Sequence, residues 1–486
     1  MSCGEGMATR LLRYARNDMF VMLVKKLSLR GAVWQARRER RSKLVARCIT
    51  ANTWRRGCFA TLAMTWFIYY FMSKAIIIGG GVIGLFSAYY LRQSGWEVEV
   101  LDKGDLTDNC SYGNAGYISP SHFVPLAAPG MVGQGIKWMF NNKSPFYIKP
   151  SLNPELISWG LKFARSCTQK HVDRSAGGLR DIAVLSNRLY HEFEKESGID
   201  FCLEDKGVLV MFKTEGLAEH ERHLVEKATN LGLDAQYLSA EETRALQPDV
   251  DLDILGSVLY RCDSHIYPNM LMKGLIKHLE DIGVKLHRDA EVTSIHREGD
   301  KIISITAGGS EYTGDAYLIA GGSWSPVIAR LAGINIPLMP GKGYSFMVHQ
   351  PVKKMTIPAI LAEARVAITP MNGSLRFGGT MEVRKINSEV SMNRVEGIVE
   401  AIPKYFPDFK LPLPDPKDVW FGFRPVSPDG LPYIGLSNKY KNLGIATGHA
   451  MIGITQATAT GKLMAEAFNG DKPSMDTRIF AVERFD

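Results

Sequence analysis

The sequence predicts an α/β chain in two parts: a discontinuous domain on a parallel sheet, and a second α+β domain built on an antiparallel sheet. Three observations predict it. Ala75–Ile78 is a short apolar run rich in β-branched residues that leads straight into GxGxxG at Gly79, Gly81 and Gly84. A second run of the same kind, AYLIAGG at 316–322, also ends in glycines. Shorter segments at Tyr344–His349, Ala364–Thr369 and Leu375–Thr380 alternate in character and are parted by turn signals such as MNGS, which reads as antiparallel sheet.

From Lys74 to Asp102 the chain reads as one Rossmann-like unit. The first glycine makes a tight turn, the second lets backbone approach a pyrophosphate, and the third lets helix pack on strand. Leu85, Ala88, Tyr89 and Leu91 carry a helical repeat, and Gly95 closes it. The start of that helix, with Val82 and Ile83, offers unpaired N–H groups and a positive dipole end. Val98 and Val100 begin a second strand, which ends at Asp102, 18 residues past Gly84. An acid there accepts hydrogen bonds from a ribose diol. Strand, turn, helix, strand and acid in register predict an adenine dinucleotide site.

At 486 residues, 45% apolar and 22% charged, the composition is that of a globular protein of two to three domains. Seven cysteines show neither metal spacing nor a paired framework, so no metal site is expected. The net charge of +8 is local in origin. Residues 1–71 hold 14 basic and 3 acidic side chains of the totals of 58 and 50, which leaves the remainder at −3. Nothing in the body of the chain argues for nucleic acid.

Residues 1–71 are of another kind. They contain no proline and carry a basic cluster at Arg37, Arg38, Arg40, Arg41, Lys43 and Arg47. Phe59–Met72 is apolar but, at 14 residues, short for a membrane span. Arg55-Arg56 before an apolar run has the look of an export signal. A targeting segment, a membrane anchor or basic tail, and upstream sequence read in frame before a start at Met72 are the competing readings. The last is preferred, since MSKAIIIGGG opens directly on the first strand. A chain beginning at Met72 is expected to fold and to hold its cofactor.

After Asp102, Lys103 and Gly104 lead into a turn-rich stretch, 105–121, whose Ser111, Gly113, Asn114, Ala115 and Gly116 permit backbone to approach a flat ring. Cys110 within it reads as a buried thiol. Residues 126–165 are apolar and irregular, with Trp138, Met139, Phe140, Phe146, Trp159 and Phe163. They pack a core, roof a pocket, or meet a membrane surface beside Lys137, Lys143 and Lys149. Helices are predicted over Ala176–Glu196, Gly216–Leu231, Ser239–Leu246 (opening on SAEE) and Asn269–Asp281. Strands are predicted at Gly207–Lys213, Ser257–Tyr260, Val284–His287, Glu291–Arg297, Lys301–Ala307, Glu311–Tyr312, Val419–Arg424 and Leu443–Thr447. Residues 338–413 read as more strands, those at Tyr344–His349, Ala364–Thr369 and Leu375–Thr380. A tight turn at Gly448-His449 precedes a helix over Ile454–Phe468, stopped by Gly470 and Pro473. The parallel-sheet domain therefore takes 72–122, 265–333 and 414–470, the second domain 123–264 and 334–413, and 471–486 is a tail.

Several motifs in order now match a known family. GGGVIG with Asp102, GFRP at 422–425 with PDGLPYIG at 428–435, and ATGHAMIG at 446–453 resemble the flavin-dependent D-amino-acid oxidase and glycine oxidase superfamily. SYGNAGYISPS at 111–121, AAPG at 127–130, IKWMF at 136–140 and PGKGYSF at 340–346 resemble its D-amino-acid dehydrogenase branch. The likeness covers about 85% of the chain and excludes residues 1–71. Two departures bear on substrate range: Ala450 stands where that branch has glycine in GHG, and SHIYP at 264–268 lacks an expected aspartate.

The resemblance implies FAD as the dinucleotide. It implies contacts from Gly79, Gly81, Val82, Ile83, Gly84, Asp102 and Lys103, from Ser111, Asn114, Ala115 and Gly116, and from Val292, Ala320 and Gly321. It adds Gly448, His449, Gly453, Ile454 and Thr455, where a helix start points at the pyrimidine side of the flavin. Arg424 is expected to hold an amino-acid carboxylate with its planar fork; the competing reading pairs it with an acid such as Asp429. Tyr344 of KGYS and His265 are further candidates to contact or orient substrate, against packing roles for both. The implied activity is oxidative deamination of D-amino acids to 2-oxo acids and ammonia, by hydride transfer from the α-carbon to FAD, with electrons passed to a quinone or other carrier. Alternatives are an oxygen-using glycine, sarcosine or hydroxyproline-type amine oxidase and a non-catalytic flavin-binding module. The expected location is cytoplasmic, with peripheral contact on the inner face of the cell membrane.

Overall fold

The computed structural model describes residues 72–139, 146–148 and 153–485. The features expected within 1–71, together with Phe140, Lys143 and Lys149, lie outside the described residues, as do the side chains of Trp138 and Met139. Residues 73–465 with 474–485 belong to one compact unit; Glu466–Pro473 falls outside it.

In chain order the first elements are β1 (Lys74–Ile78), α1 (Val82–Gln93), β2 (Glu97–Leu101) and β3 (Tyr117–Ile118). Then come α2 (Met131–Met139), β4 (Phe146–Ile148), α3 (Pro154–Ser166) and α4 (Gln169–Ser197). The region read as irregular thus holds two helices. Asn153 caps α3 with Pro154 at its first position, and Thr168 caps α4, which ends on Gly198 at φ 68°. Next are β5 (Val208–Phe212), α5 (Glu215–Asn230), β6 (Ala235–Ser239), α6 (Ala240–Leu246) and β7 (Gly256–Tyr260). The SAEE stretch forms a capping box between Ser239 and Glu242. They are followed by β8 (Ser264–His265), α7 (Pro268–Asp281), β9 (Lys285–His287), β10 (Val292–Glu298), β11 (Lys301–Ala307), β12 (Ser310–Thr313), β13 (Ala316–Ile319) and α8 (Ser325–Leu331). The last group is β14 (Met339–His349), β15 (Ala359–Leu361), β16 (Val366–Met371), β17 (Ser374–Val383), α9 (Met392–Tyr405), β18 (Trp420–Val426), β19 (Tyr433–Leu436), β20 (Leu443–Thr447) and α10 (Gly453–Asn469).

Six strands form a sheet in the order β19-β20-β13-β1-β2-β9, parallel except for the β19–β20 pair. Ile76, Ile77, Val98, Val100 and Ile319 are fully buried, as expected of strands covered on both faces. β10, β11 and β12 form a separate antiparallel meander. The large sheet runs β18-β14-β17-β16-β15-β5-β7-β6, with β4 beside β17. It is antiparallel apart from the β15–β5 and β17–β4 pairs.

One stretch of 338–413 is not sheet: 392–405 is the helix α9. Its Val395, Ile398, Ala401, Ile402 and Tyr405 recur at helical spacing and are buried. They join Leu209, Tyr344, Phe346, Ile368 and Phe377 of the sheet in one core cluster. Alternation then fixes the other face. Trp420, Ser345, Gly378, Ala367, Ile360 and Val210 are paired one to the next across six strands, and all six line a large cavity.

Candidate active site

The cavity has a volume of about 1110 Å³ and is walled by the glycine turn after β1 as well as by the open face of the large sheet. At that turn each glycine has its own reason. Gly79 has φ 115°, and a β-carbon on it would lie 2.5 Å from the Ala320 carbonyl oxygen. A β-carbon on Gly84 would lie 1.9 Å from the Gly79 oxygen, so α1 packs against the turn only through glycine. Gly81 is different: the nearest atom to a β-carbon there is Ser111 Oγ at 3.7 Å, and the position faces the cavity. Asp102 accepts hydrogen bonds from the Gly80 and Gly104 N–H groups, at 2.6 and 2.8 Å. The Val82 N–H donates to Ser111 Oγ at 3.1 Å, which ties the 105–121 stretch to the start of α1.

Of the expected cofactor contacts, Gly79, Gly81, Val82, Ile83, Asp102, Lys103, Ser111, Asn114 and Ala115 line the cavity. So do Val292, Ala320, Gly321, His449, Gly453, Ile454 and Thr455. Gly84, Gly116 and Gly448 do not; they are packing glycines. A β-carbon on Gly116 would stand 2.3 Å from the Ile266 oxygen, and one on Gly448 2.9 Å from the Tyr433 ring. The His449 imidazole is buried and bonded to Thr460 Oγ1 at 3.0 Å, and burial lowers its pKa to about 3, so it is neutral at pH 7. Val426 and His449 form a β-bridge, and the Ala450 N–H donates to the Pro425 oxygen at 3.0 Å, which joins this turn to β18.

Trp420, Gly422 and Arg424 share the cavity face of β18. The indole lies in space that a β-carbon on Gly113 or Gly422 would fill, and donates to Asp108 Oδ1 at 3.1 Å. Arg424 Nη1 donates to the Thr380 carbonyl oxygen at 2.6 Å. Burial lowers the Arg424 pKa to about 10, which leaves it a cation at neutral pH. Asp429 is taken by another residue: Arg484 holds it with two bonds of 2.7 and 2.9 Å. No carboxylate among the described residues forms an ion pair with Arg424. The fork is thus a half-buried cation with one carbonyl partner, open to a ligand carboxylate.

Two expected site residues stand apart from Arg424. Tyr344 lines the cavity, but it pairs with Phe421, and its side chain joins the core cluster on the face opposite to Arg424. Its hydroxyl donates to Glu382 Oε2 and accepts from the Ser391 N–H, both at 3.3 Å. His265 does not line the cavity. It is 2% exposed, and its Nε2 lies 3.9 Å from Glu204 Oε2. Burial lowers its pKa to about 4.

Arg376 and Lys342, which support the site without lining the cavity, were missed in the sequence. Arg376, in an apolar strand, bonds the Tyr112 and Asn114 oxygens at 2.9 and 2.6 Å and Asn269 Oδ1 at 2.6 Å, clamping the 111–116 segment. A lone arginine in LRFGG was the available signal. Lys342 of KGYS, fully buried, donates to the Asn387 and Glu389 oxygens and lies 3.9 Å from the Phe421 ring centroid. Cys110 Sγ accepts from the Phe423 N–H at 3.3 Å, and burial pushes the thiol's pKa up.

The arrangement fits a flavin dinucleotide: an open glycine before a helix start, an acid at the end of β2, and a second helix start at Gly453 lining the same cavity. Comparison with known proteins agrees. The family model "FAD dependent oxidoreductase" (DAO) matches residues 74–467. A D-amino acid dehydrogenase of Helicobacter pylori is 30% identical over 81% of this chain and 94% of its own length. One of Bradyrhizobium diazoefficiens is 29% identical over 85% and 99%. Among solved structures, glycine oxidase from Geobacillus kaustophilus aligns with a TM-score of 0.68 at 22% identity, covering 85% of this chain and all of that one. L-proline dehydrogenase from P. horikoshii aligns with a TM-score of 0.66 at 18% identity, covering 85% and 98%. The resemblance read from GGGVIG, GFRP and ATGHAMIG is borne out: the chain belongs to the DAO family of FAD-dependent oxidoreductases.

Proposed function

We propose that this enzyme oxidises D-amino acids at the α-carbon, giving 2-oxo acids and ammonia. The observation that carries the proposal is Arg424, a half-buried cationic fork without an acid partner among the described residues, on the wall of the cavity that the nucleotide turn also lines. The substrate class comes from the dehydrogenase relatives. FAD, when bound, supplies the two-electron acceptor for the α-hydrogen. In this reading the cavity-lining residues of 79–83, 102–103, 111–115, 320–321 and 449–455 hold it, with Val292. Arg424 fixes the carboxylate in direction as well as distance, which aims the α-carbon. Burial makes His265 and His449 weak bases, with pKa values of about 4 and 3, and no side-chain base is required when the amine enters neutral. Electrons leave to a quinone or other carrier.

The division into an FAD domain (72–122, 265–333, 414–470) and a substrate domain (123–264, 334–413) is part of the same reading. It is supported by the parallel sheet drawing on the first set and the large sheet mainly on the second. A cytoplasmic enzyme in peripheral contact with the inner face of the membrane is also proposed. No helix among the described residues is long and apolar enough to cross a membrane. Val132, Ile136, Ile157 and Leu161 of α2 and α3 are nonetheless exposed, beside an apolar groove of about 180 Å³ and near the exposed Lys137 and Arg165.

The test is direct. Purified FAD-loaded protein is mixed anaerobically with a panel of D- and L-amino acids while flavin absorbance is followed. Bleaching by D-isomers alone supports the reading; bleaching by L-isomers alone, or by none, overturns it.

A further inference from the structure

Thr380 combines two costs at one place. Its φ is +60°, a region that β-branched residues avoid and glycine enters freely. Its hydroxyl is buried and, among the described residues, has no hydrogen-bond partner. The register of β14 on β17 shows where the strain comes from. Tyr344 pairs with Gly379 and Lys342 with Glu382, so Thr380 and Met381 both stand opposite Gly343 alone. This is a β-bulge with its left-handed position filled by threonine. Bulges re-aim groups beside functional sites. Here the re-aimed group is a main-chain carbonyl: the Thr380 oxygen accepts from Arg424 Nη1 at 2.6 Å, and Thr380 itself lines the cavity.

We infer that Thr380 is a positioning residue for the carboxylate site: its left-handed backbone at the β17 bulge turns its carbonyl onto Arg424 and fixes the direction of the guanidinium fork. Any residue has a carbonyl, but a branched β-carbon restricts the flanking peptide planes to a narrow range, whereas glycine lets them rotate. The restriction holds the acceptor still, and the acceptor holds one edge of the fork. A carboxylate then meets the remaining N–H groups in a fixed orientation. The inference rests on the proposed reading of Arg424 as carboxylate anchor.

The experiment uses the full FAD-loaded chain and three variants: Thr380→Gly, Thr380→Val and Arg424→Lys. The probes are propionate, titrated by calorimetry, and D-alanine, for KM and the rate of flavin reduction. Melting temperature and FAD content are measured alongside. Thr380→Gly is expected to keep its FAD and a Tm at or above the parent's, because relief of strain exceeds the freedom glycine adds to the unfolded chain. Its Kd for propionate should rise at least about tenfold, the equivalent of a charged hydrogen bond. KM for D-alanine should rise with it, and the reduction rate at saturation should fall less. Thr380→Val keeps the branched β-carbon and should bind propionate close to the parent. Parent-like binding by Thr380→Gly with weakened binding by Arg424→Lys overturns this inference alone. Parent-like binding by both overturns the anchor reading itself. Loss of FAD or of Tm in Thr380→Gly makes the residue structural and overturns the inference, and so does a loss in Thr380→Val equal to that in Thr380→Gly.

Discussion

The guanidinium of Arg424 occupies the space that a β-carbon on Gly343 would fill: such an atom would lie 1.9 Å from Nη1 and 2.3 Å from Cζ. The two residues are on adjacent strands and the same face, with Gly343 paired to Gly422. The glycine of KGYS is therefore the seat of the arginine. Gly343→Ala should fold and keep FAD, because the displaced atoms are the far end of a flexible side chain. Carboxylate binding should weaken by about 1.5–3 kcal/mol as the fork moves off its seat. Calorimetric titration of propionate checks it, and parent-like affinity would show that the fork works from another position.

Arg424→Lys keeps the charge and loses the planar fork. Both apparent affinity for a D-amino acid and the rate of flavin reduction should fall, together by at least roughly 1.5–3 kcal/mol. FAD content and Tm should hold. A variant that stays fast and tight removes Arg424 from the anchor role, whereas loss of FAD would make it a structural residue.

Gly81→Val places a side chain in the cavity where the nucleotide turn faces it, and should abolish flavin retention. Asp102→Ala should weaken FAD binding by about 1–3 kcal/mol, the cost of losing hydrogen bonds to a charged group. A yellow, stoichiometrically loaded Gly81→Val protein contradicts the first, and unchanged affinity in Asp102→Ala the second.

Tyr344→Phe removes a hydroxyl on the core face, between Glu382 and the Ser391 N–H. Stability should fall by about 1 kcal/mol, that of an ordinary buried hydrogen bond, and KM should not move. Denaturant midpoints and steady-state kinetics separate the two. A large rise in KM with unchanged stability would restore the tyrosine to the substrate site.

His265 gives a pH signature. Its folded pKa of about 4 is below the ordinary value of 6.5, so between these values the unfolded chain binds the extra proton. Stability from this group is therefore full above pH 6.5 and lost as pH falls toward 4, by on the order of 3 kcal/mol in all. His265→Phe should flatten that part of the stability profile and leave flavin reduction intact. An unchanged profile, or a dead enzyme with an intact fold, contradicts the packing role.

Much of the fold was legible because its signals are local. The unit from β1 through α1 to β2 spells out strand, turn, helix and acid within one short stretch, and the capping box at Ser239 is written in four residues. What was missed depended on distant partners. α9 carries Gly397 and Pro403, which read as breakers; it is a helix because five of its side chains complete a core under the large sheet. α2 and α3 were obscured in the same way by Gly133, Gly135 and Gly160. Tyr344 and Arg424 lie in motifs that are equally prominent in the sequence. Both line the cavity, and which of them shares a face with Trp420 and Gly422 is a matter of strand parity, which is not written in KGYS. Gly343 was visible only as part of a motif, since its meaning lies in an arginine 81 residues later.

The strand order of the parallel sheet also sets a schedule. β1 is the first described strand to be made, yet it lies between β2 and β13, and its glycine turn rests against Ala320, more than 200 residues further on. The helix start at Gly453 that completes the cavity wall comes later still, among the last few dozen residues. A chain emerging from the ribosome can pair its nucleotide turn with β2 and Asp102 early, but carries it without β13 and Ala320 through much of synthesis, with these non-local pairings left to close later. FAD meets a complete site only once the chain has been made past Gly453.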